Sequence, residues 1–294
     1  MAGRPGGLPA VTGDSVEQVS RSIREALTKD TRLCMSLAAR PSNIGTRFHN
    51  YLYEELGLDF VYKAFTTTDL PAAIAGIRAL GIRGCGVSMP FKEACIEHVD
   101  VMHDSAAAIA SVNTIVNSGG VLHAYNTDYE AVAMLLAEHR VPPTLTAAVA
   151  GSGGMAKAVV AALRDNGFGE VTVIARNEAT GRALADQYGF DWRADMGELR
   201  PGLLVNATPI GMSGGPGAEL SPFPREAVGA ADAVFDVVAL PPQTPLIRAA
   251  TEQGTTVITG AEVIALQAAA QFELYTGVRP TPEQIRRASE YSRS

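Results

Sequence analysis

Apolar residues recur along this chain in two alternating rhythms, short continuous runs and helical spacings, and their order predicts an α/β protein. Residues 32–38, 59–65 and 83–89 are compact apolar runs that read as strands, while 50–56 and 70–80 carry helical spacing. Strand–helix–strand–helix–strand order implies a parallel sheet with right-handed crossovers. Residues 111–117 and 121–125, on either side of Gly119-Gly120, read instead as a hairpin at the edge of that sheet. A helix is expected over 14–29, where Asp14 and Ser15 are the capping candidates. A second α/β register starts near Pro142-Pro143, reached through a helix over 129–140. It runs strand 146–151, helix 153–165, strand 170–176, helix 178–188, strands 202–208 and 231–238, helix 244–254 and strand 255–259, and two short helices end the chain. No solenoid-length repeat interrupts this order.

Composition narrows the possible functions. The chain has 294 residues, enough for two cores, with 47% hydrophobic and 19% charged residues, the balance of a globular protein. A formal charge of −7, with no basic run to reverse it locally, opposes phosphate backbones and anionic membranes. The most apolar helical stretch, 263–274, is broken by Gln267 and Gln271 and is too short to span a bilayer. Residues 1–13 are rich in Gly and Pro and carry no signal-peptide pattern, so a cytoplasmic protein is expected, as a monomer or homodimer. Cys34, Cys85 and Cys95 read as reduced, buried thiols. His98 and His103 lie five apart, off the i, i+4 face, so no metal site is expected.

The segment VAGSGGMAKA places Gly151, Ser152, Gly153, Gly154 and Met155 between an apolar strand and an alanine-rich helix. In that context a glycine turn brings backbone amides and the helix N-terminus against a pyrophosphate, which predicts a dinucleotide. The following strand ends in Ala175-Arg176-Asn177. NAD binders place an acid here for the ribose 2′-hydroxyl, whereas Arg176 suits a 2′-phosphate. A hydrogen bond to a charged group contributes about 1.5–3 kcal/mol, on the order of 10- to 150-fold in favour of NADP. The alternatives are a solvated Arg176 and a Glu178 that turns inward and opposes the phosphate.

Three polar segments stand at expected strand ends: Ser88 to Glu93, Ser111 to Thr114, and Tyr125 to Asp128. Ligands of parallel sheets bind outside those ends, and interconverting an alcohol and a ketone needs a proton-transfer group beside a hydride carrier. Together these segments resemble the shikimate dehydrogenase family, over nearly the whole chain from about residue 36 to 276. The resemblance implies an N-terminal substrate-binding domain, 1–127 with helices 264–294, and a Rossmann-type NADP-binding domain, 128–263, with a cleft between. It makes Lys92 and Asp128 the catalytic pair, and Ser88, Asn113 and Gln267 contacts of a small hydroxy acid. It adds Thr208, in the motif NATPIGM, with Val237 and Gly260, to the cofactor contacts. The implied reaction is NADP-linked interconversion of 3-dehydroshikimate and shikimate or a close analogue. For Lys92 the bland reading is a snorkelling surface lysine, and for Asp128 a helix N-cap.

The departures point to the divergent, shikimate-dehydrogenase-like branch. Where the family offers Ser-x-Ser to the substrate carboxylate, this chain has Asn43-Ile44-Gly45. Ser88 replaces a threonine, Ala239 a tyrosine, and Gly260-Ala261-Glu262-Val263 the usual Gly-Leu-Gly-Met. Two lost hydrogen bonds to a carboxylate, left uncompensated, weaken binding by on the order of 10²–10⁴-fold. Asn43, Thr46 and Arg47 are the candidate replacements, Arg47 as a charge-assisted partner. The alternatives are a quinate- or aminoshikimate-type dehydrogenase and a non-catalytic ligand sensor on the same fold. A sensor needs no proton-transfer group, so the presence of both Lys92 and Asp128 opposes it.

Overall fold

The computed structural model describes residues 27–294, which leaves nearly all of the helix expected over 14–29 outside the described residues. Two six-stranded sheets organise the rest. The first combines β1 (Arg32–Leu37), β2 (Phe60–Phe65), β3 (Gly84–Val87), β4 (Val101–Met102), β5 (Thr114–Ser118) and β6 (Val121–Tyr125), in the order β2-β1-β3-β5-β6-β4. Helices α1 (Ile44–Glu55) and α2 (Leu70–Ala79) make the crossovers that keep β1, β2 and β3 parallel. The short α3 (Phe91–Ala94) and α4 (Asp104–Ala107) fill the return to β5. The β5–β6 hairpin forms as expected but lies one strand inside the sheet, because β4 pairs parallel to β6 beyond it. Two residues give no periodicity, so β4 leaves no trace in the hydrophobic pattern.

Helix α5 (Thr127–Glu138) leads into the second sheet, capped by the Asn126 side chain on Tyr129 N at 3.1 Å. Its strands are β7 (Ala147–Ala150), β8 (Val171–Ile174), β9 (Asp191–Arg193), β10 (Leu203–Asn206), β11 (Ala233–Asp236) and β12 (Thr256–Thr259). All pair parallel in the order β12-β11-β10-β7-β8-β9, so chain direction across the sheet reverses between β7 and β10. That reversal opens a crevice at the strand ends. Helices α6 (Gly154–Asp165), α7 (Glu178–Tyr188), α8 (Arg225–Ala230) and α9 (Pro245–Glu252) cover its faces. Val149, Val159, Leu163, Val173 and Phe235 lie in one continuous buried cluster on one side, Leu204, Val228 and Leu246 in another.

The chain ends in α10 (Gly260–Thr276) and α11 (Pro282–Arg293), where two short helices are expected. α10 is instead 17 residues long, because Thr259 and Glu262 form a capping box that starts it directly from β12. Its far end returns to the first sheet: Phe272 and Tyr275 are buried with Phe48, Leu52 and Tyr53 of α1. Gly84 makes the approach possible, since a Cβ there would enter the Tyr275 ring. Arg83 then holds the helix end, donating to Tyr275 O at 2.9 Å, Leu274 O at 3.2 Å and Asn117 O at 2.9 Å. A cation there also suits the negative end of the helix dipole.

One buried carboxylate ties the strand ends of the second sheet. Asp236 is fully buried and accepts from Asn206 Nδ2 at 2.9 Å, Val238 N at 3.0 Å and Thr244 Oγ1 at 2.6 Å. Burial pushes its pKa up to about 6, against those three hydrogen bonds, which favour the charged form. A carboxyl whose folded pKa is raised contributes stability that is full below about pH 4 and is lost as pH rises through 6. Asp236→Asn has no proton to take up, and its amide keeps the shape of the network. On passing from pH 8 to pH 5 the wild type therefore gains on the order of 1 kcal/mol over Asp236→Asn in urea unfolding. An unchanged difference at the two pH values would refute the assignment.

Candidate active site

The ends of β1, β3, β5 and β6 surround a cleft of about 250 Å³. Its lining includes Ser36, Ser42, Tyr62, Ser88, Lys92, Asn113, Asp128, Gln267 and Gln271. Lys92 stands in the single turn of α3, whose backbone is anchored where Val112 N donates to Lys92 O at 2.8 Å. Asp128 lies in the first turn of α5, where the helix dipole favours a negative charge. The two side chains meet, Lys92 Nζ donating to Asp128 Oδ2 at 2.5 Å, and neither is freely solvated, with 19% and 12% of the side chains exposed. Neither bland reading holds: Lys92 does not extend into solvent, and Asn126, not Asp128, caps α5.

Asn113 is nearly fully buried, and its carbonyl oxygen accepts from Thr127 N at 2.8 Å and Thr114 Oγ1 at 2.7 Å. Its amide donates to Thr127 Oγ1 at 3.0 Å and reaches Gln267 Oε1 at 3.5 Å, so its orientation is set before any ligand arrives. Gln271, one turn beyond Gln267 on α10, donates to Asn113 O at 3.2 Å and Thr114 Oγ1 at 2.9 Å. Gln271 is not among the residues expected at the site, and its i+4 spacing from Gln267 is the one signal it leaves in the sequence. Behind the cleft, Tyr62 stacks on His49 with ring centroids 4.4 Å apart, and burial holds the His49 pKa down at about 3. The imidazole is therefore a neutral wall at physiological pH.

Asn43 and Arg47 stand apart from this lining. Arg47 Nη1 donates to the main-chain oxygen of Ser294, and Asn43 is exposed just before α1. The sequence places both at the ligand; Asn43 instead precedes the helix and is exposed, and residue 47 falls on the face of α1 turned toward α11. Thr46 is also withdrawn, its hydroxyl buried without a hydrogen-bond partner. In their place the loop after β1 brings Arg40 and Ser42 to the cleft. The one trace Arg40 leaves in the sequence is its place after a strand end, where ligands of parallel sheets gather, and that does not distinguish it from Arg47.

The second sheet has its own crevice, at the strand ends where its order reverses. Gly151, directly after β7, has φ +115°, and a Cβ there would fall 2.8 Å from Ala207 O, so glycine is required. Gly153 caps α6, and beside it and Gly154 a Cβ would meet nothing within 4 Å, leaving open space at the helix N-terminus. Met155 packs on the core beneath. Ser152 Oγ lies 2.8 Å from Thr180 Oγ1, and Asn177 caps α7 through Thr180 N at 3.2 Å. Arg176, between Ala175 and that cap, is exposed and has no hydrogen-bond or ion-pair partner among the described residues. Glu178 turns to Arg182 at 2.7 Å and does not oppose an anion at Arg176. Thr208 is pinned to Asn206 Oδ1 at 2.7 Å, and Val237 N donates to Asn206 O at 3.0 Å. Gly260 packs so closely on Val237 and Val238 that any Cβ would collide with their backbone. Thus the residues expected at the cofactor gather on one edge of the second sheet. An ion pair between Lys157 of α6 and Glu93 of α3 joins that edge to the Lys92 turn. The anion-binding amides, the open helix start and the unpaired Arg176 fit a phosphorylated dinucleotide.

Among the described residues no cluster of metal-ligating side chains occurs, and no helix is long and apolar enough to cross a membrane. The three cysteines are buried and free, and burial pushes the Cys34 and Cys95 thiols up to about 11 and about 12.

Comparison with known proteins agrees with this geometry. Residues 43–115 match the model of the shikimate dehydrogenase substrate-binding domain. A shikimate dehydrogenase-like protein of Haemophilus influenzae is 53% identical over 268 residues, covering 91% of this chain and 99% of that protein. The solved structure of a shikimate 5-dehydrogenase-like protein, also 53% identical, superposes with a TM-score of 0.89 over 91% of this chain and 100% of the other. Shikimate 5-dehydrogenase of Thermus thermophilus, solved in complex with NADP(H) and shikimate, is 31% identical with a TM-score of 0.80 over 89% of this chain and 99% of the other. The chain belongs to the shikimate dehydrogenase family, in its shikimate dehydrogenase-like branch.

Proposed function

We propose that the protein is an NADP-dependent oxidoreductase that interconverts a ring hydroxyl and ketone of shikimate or a closely related cyclic hydroxy acid. The carrying observation is the Lys92–Asp128 pair in a cleft whose Lys92 turn is joined, through the Lys157–Glu93 ion pair, to the helix that follows the glycine loop. Bound at that loop, NADP supplies the acceptor for the hydride that leaves the carbinol carbon. Lys92, as the neutral amine, takes the hydroxyl proton during oxidation, and as the ammonium returns it during reduction. Asp128 accepts from Lys92 and steadies the ammonium once the proton has moved, while Asn113, Ser88 and Gln267 orient neighbouring ring substituents. Gly151 to Met155, Ala175 to Asn177, Thr208, Val237 and Gly260 form the cofactor side. In this reading residues 1–127 with 264–294 bind substrate, and 128–263 bind NADP. A ligand sensor on this fold has no use for a preformed lysine–carboxylate pair beside a hydride carrier. The relatives that share the fold include shikimate dehydrogenases named for NADP, which supports the cofactor.

Two variants test this reading. Lys92→Ala lowers the single-turnover rate by about 10²–10⁴-fold, the usual share of general acid–base catalysis, with NADP affinity unchanged. Near-normal turnover in a folded Lys92→Ala protein removes Lys92 from the mechanism. Arg176→Ala weakens NADP binding by roughly 10-fold or more and NAD binding hardly at all, because only NADP carries the 2′-phosphate. Equal losses for the two cofactors, read by fluorescence titration of the reduced forms, show Arg176 to be a surface residue.

A further inference from the structure

The family's paired serines are absent at Asn43 and Gly45, yet an acid substrate needs its carboxylate solvated by protein when it leaves water. The charge inventory of the cleft identifies the substitute. Its lining holds two cations, Arg40 and Lys92, and one anion, Asp128. Lys92 is matched by Asp128, whereas Arg40 has no hydrogen-bond or ion-pair partner among the described residues. The cleft thus carries one uncompensated positive charge inside a protein of net charge −7. Placement agrees with that. Arg40 follows β1, and β1 lies two positions from β5 in the sheet, with Asn113 just before β5. Two strand spacings amount to about 10 Å, the reach of a six-membered ring with a carboxylate at one end and hydroxyls at the other. The loop is fixed to the end of β3, the strand beside β1, where Ala39 N donates to Met89 O at 3.1 Å, next to Ser88. Ser42, two residues on, adds a hydroxyl to the same rim.

Resting on the reading of an acid substrate above, we propose that Arg40, assisted by Ser42, is the carboxylate-recognising residue of this cleft and sets its preference for anionic rings. A guanidinium donates two parallel hydrogen bonds to a carboxylate, which a pair of serine hydroxyls also supplies but without the charge. Because Arg40 is exposed, its effect lies at the lower end of the range for charged hydrogen bonds.

The test titrates shikimate and its uncharged methyl ester into wild type, Arg40→Gln and Arg40→Lys by calorimetry, in the presence of NADPH. The expected outcome is that wild type prefers the acid and Arg40→Gln loses about 10-fold in affinity for it. Affinity for the ester stays constant, and Arg40→Lys recovers part of the loss. In turnover the change falls on KM, with kcat preserved, because Arg40 is remote from the reacting hydroxyl. Equal binding of shikimate by wild type and Arg40→Gln overturns the assignment while leaving the ring reading intact. Equal affinity of wild type for acid and ester does the same. If wild type binds neither compound, the reading of a shikimate-like ring fails, and the Arg40 assignment fails with it.

Discussion

The contact between Lys92 and Asp128 constrains most of what surrounds it. Its partners come from different parts of the chain, a one-turn helix after β3 and the first turn of α5 after β6. A lysine and a carboxylate drawn partly out of water stabilise each other only if both are held in register, and removing either leaves the other uncompensated. The surrounding hydrogen bonds supply that register. Val112 N fixes the carbonyl of Lys92, Asn126 caps α5, and Asn113 grips the backbone of Thr127 beside Asp128. A pair held in this way is ready to move a proton without reorganising, which is the property that acid–base chemistry needs.

Helix α10 joins this pair to the second half of the site. It begins against Val237 and Val238 at the edge of the second sheet and ends under Arg83 on the first. Seventeen residues at 1.5 Å each make a strut of about 25 Å. Gln267 and Gln271 sit on it between the two anchorages. Glu262 at its start also meets His139 Nε2, just past the end of α5, at 3.0 Å. The segment Gly260-Ala261-Glu262-Val263, a departure from the family pattern, thereby has a structural role: its glutamate caps α10 and ties that helix to α5.

Much of this was legible in the residues because local signals and tertiary structure agreed. The glycine turn, the strand–helix alternation and the polar segments at strand ends each follow from backbone chemistry that leaves a local trace. Helix α7 keeps the bounds expected from the sequence, 178–188, since Asn177 caps its start and Gly189 takes a left-handed turn at its end. What escaped depended on distant partners. β4 is visible only against β6, and α10 looked short because its apolar positions face two different sheets and blur the period. Arg47 and Arg40 show the same limit at the site. Both are cations near the altered serine positions, and only packing reveals that one reaches the chain terminus and the other the cleft.

In the proposed reaction a preformed lysine–carboxylate pair and a phosphorylated dinucleotide act on one ring hydroxyl. The most direct test mixes the wild-type protein with NADP and shikimate, unlabelled or deuterated at the carbinol carbon, and follows NADPH formation in a single turnover. The expected result is NADPH formation that is slowed by the deuterium. Binding of both ligands with no NADPH formed, from shikimate or from a panel of related cyclic hydroxy acids, would contradict it.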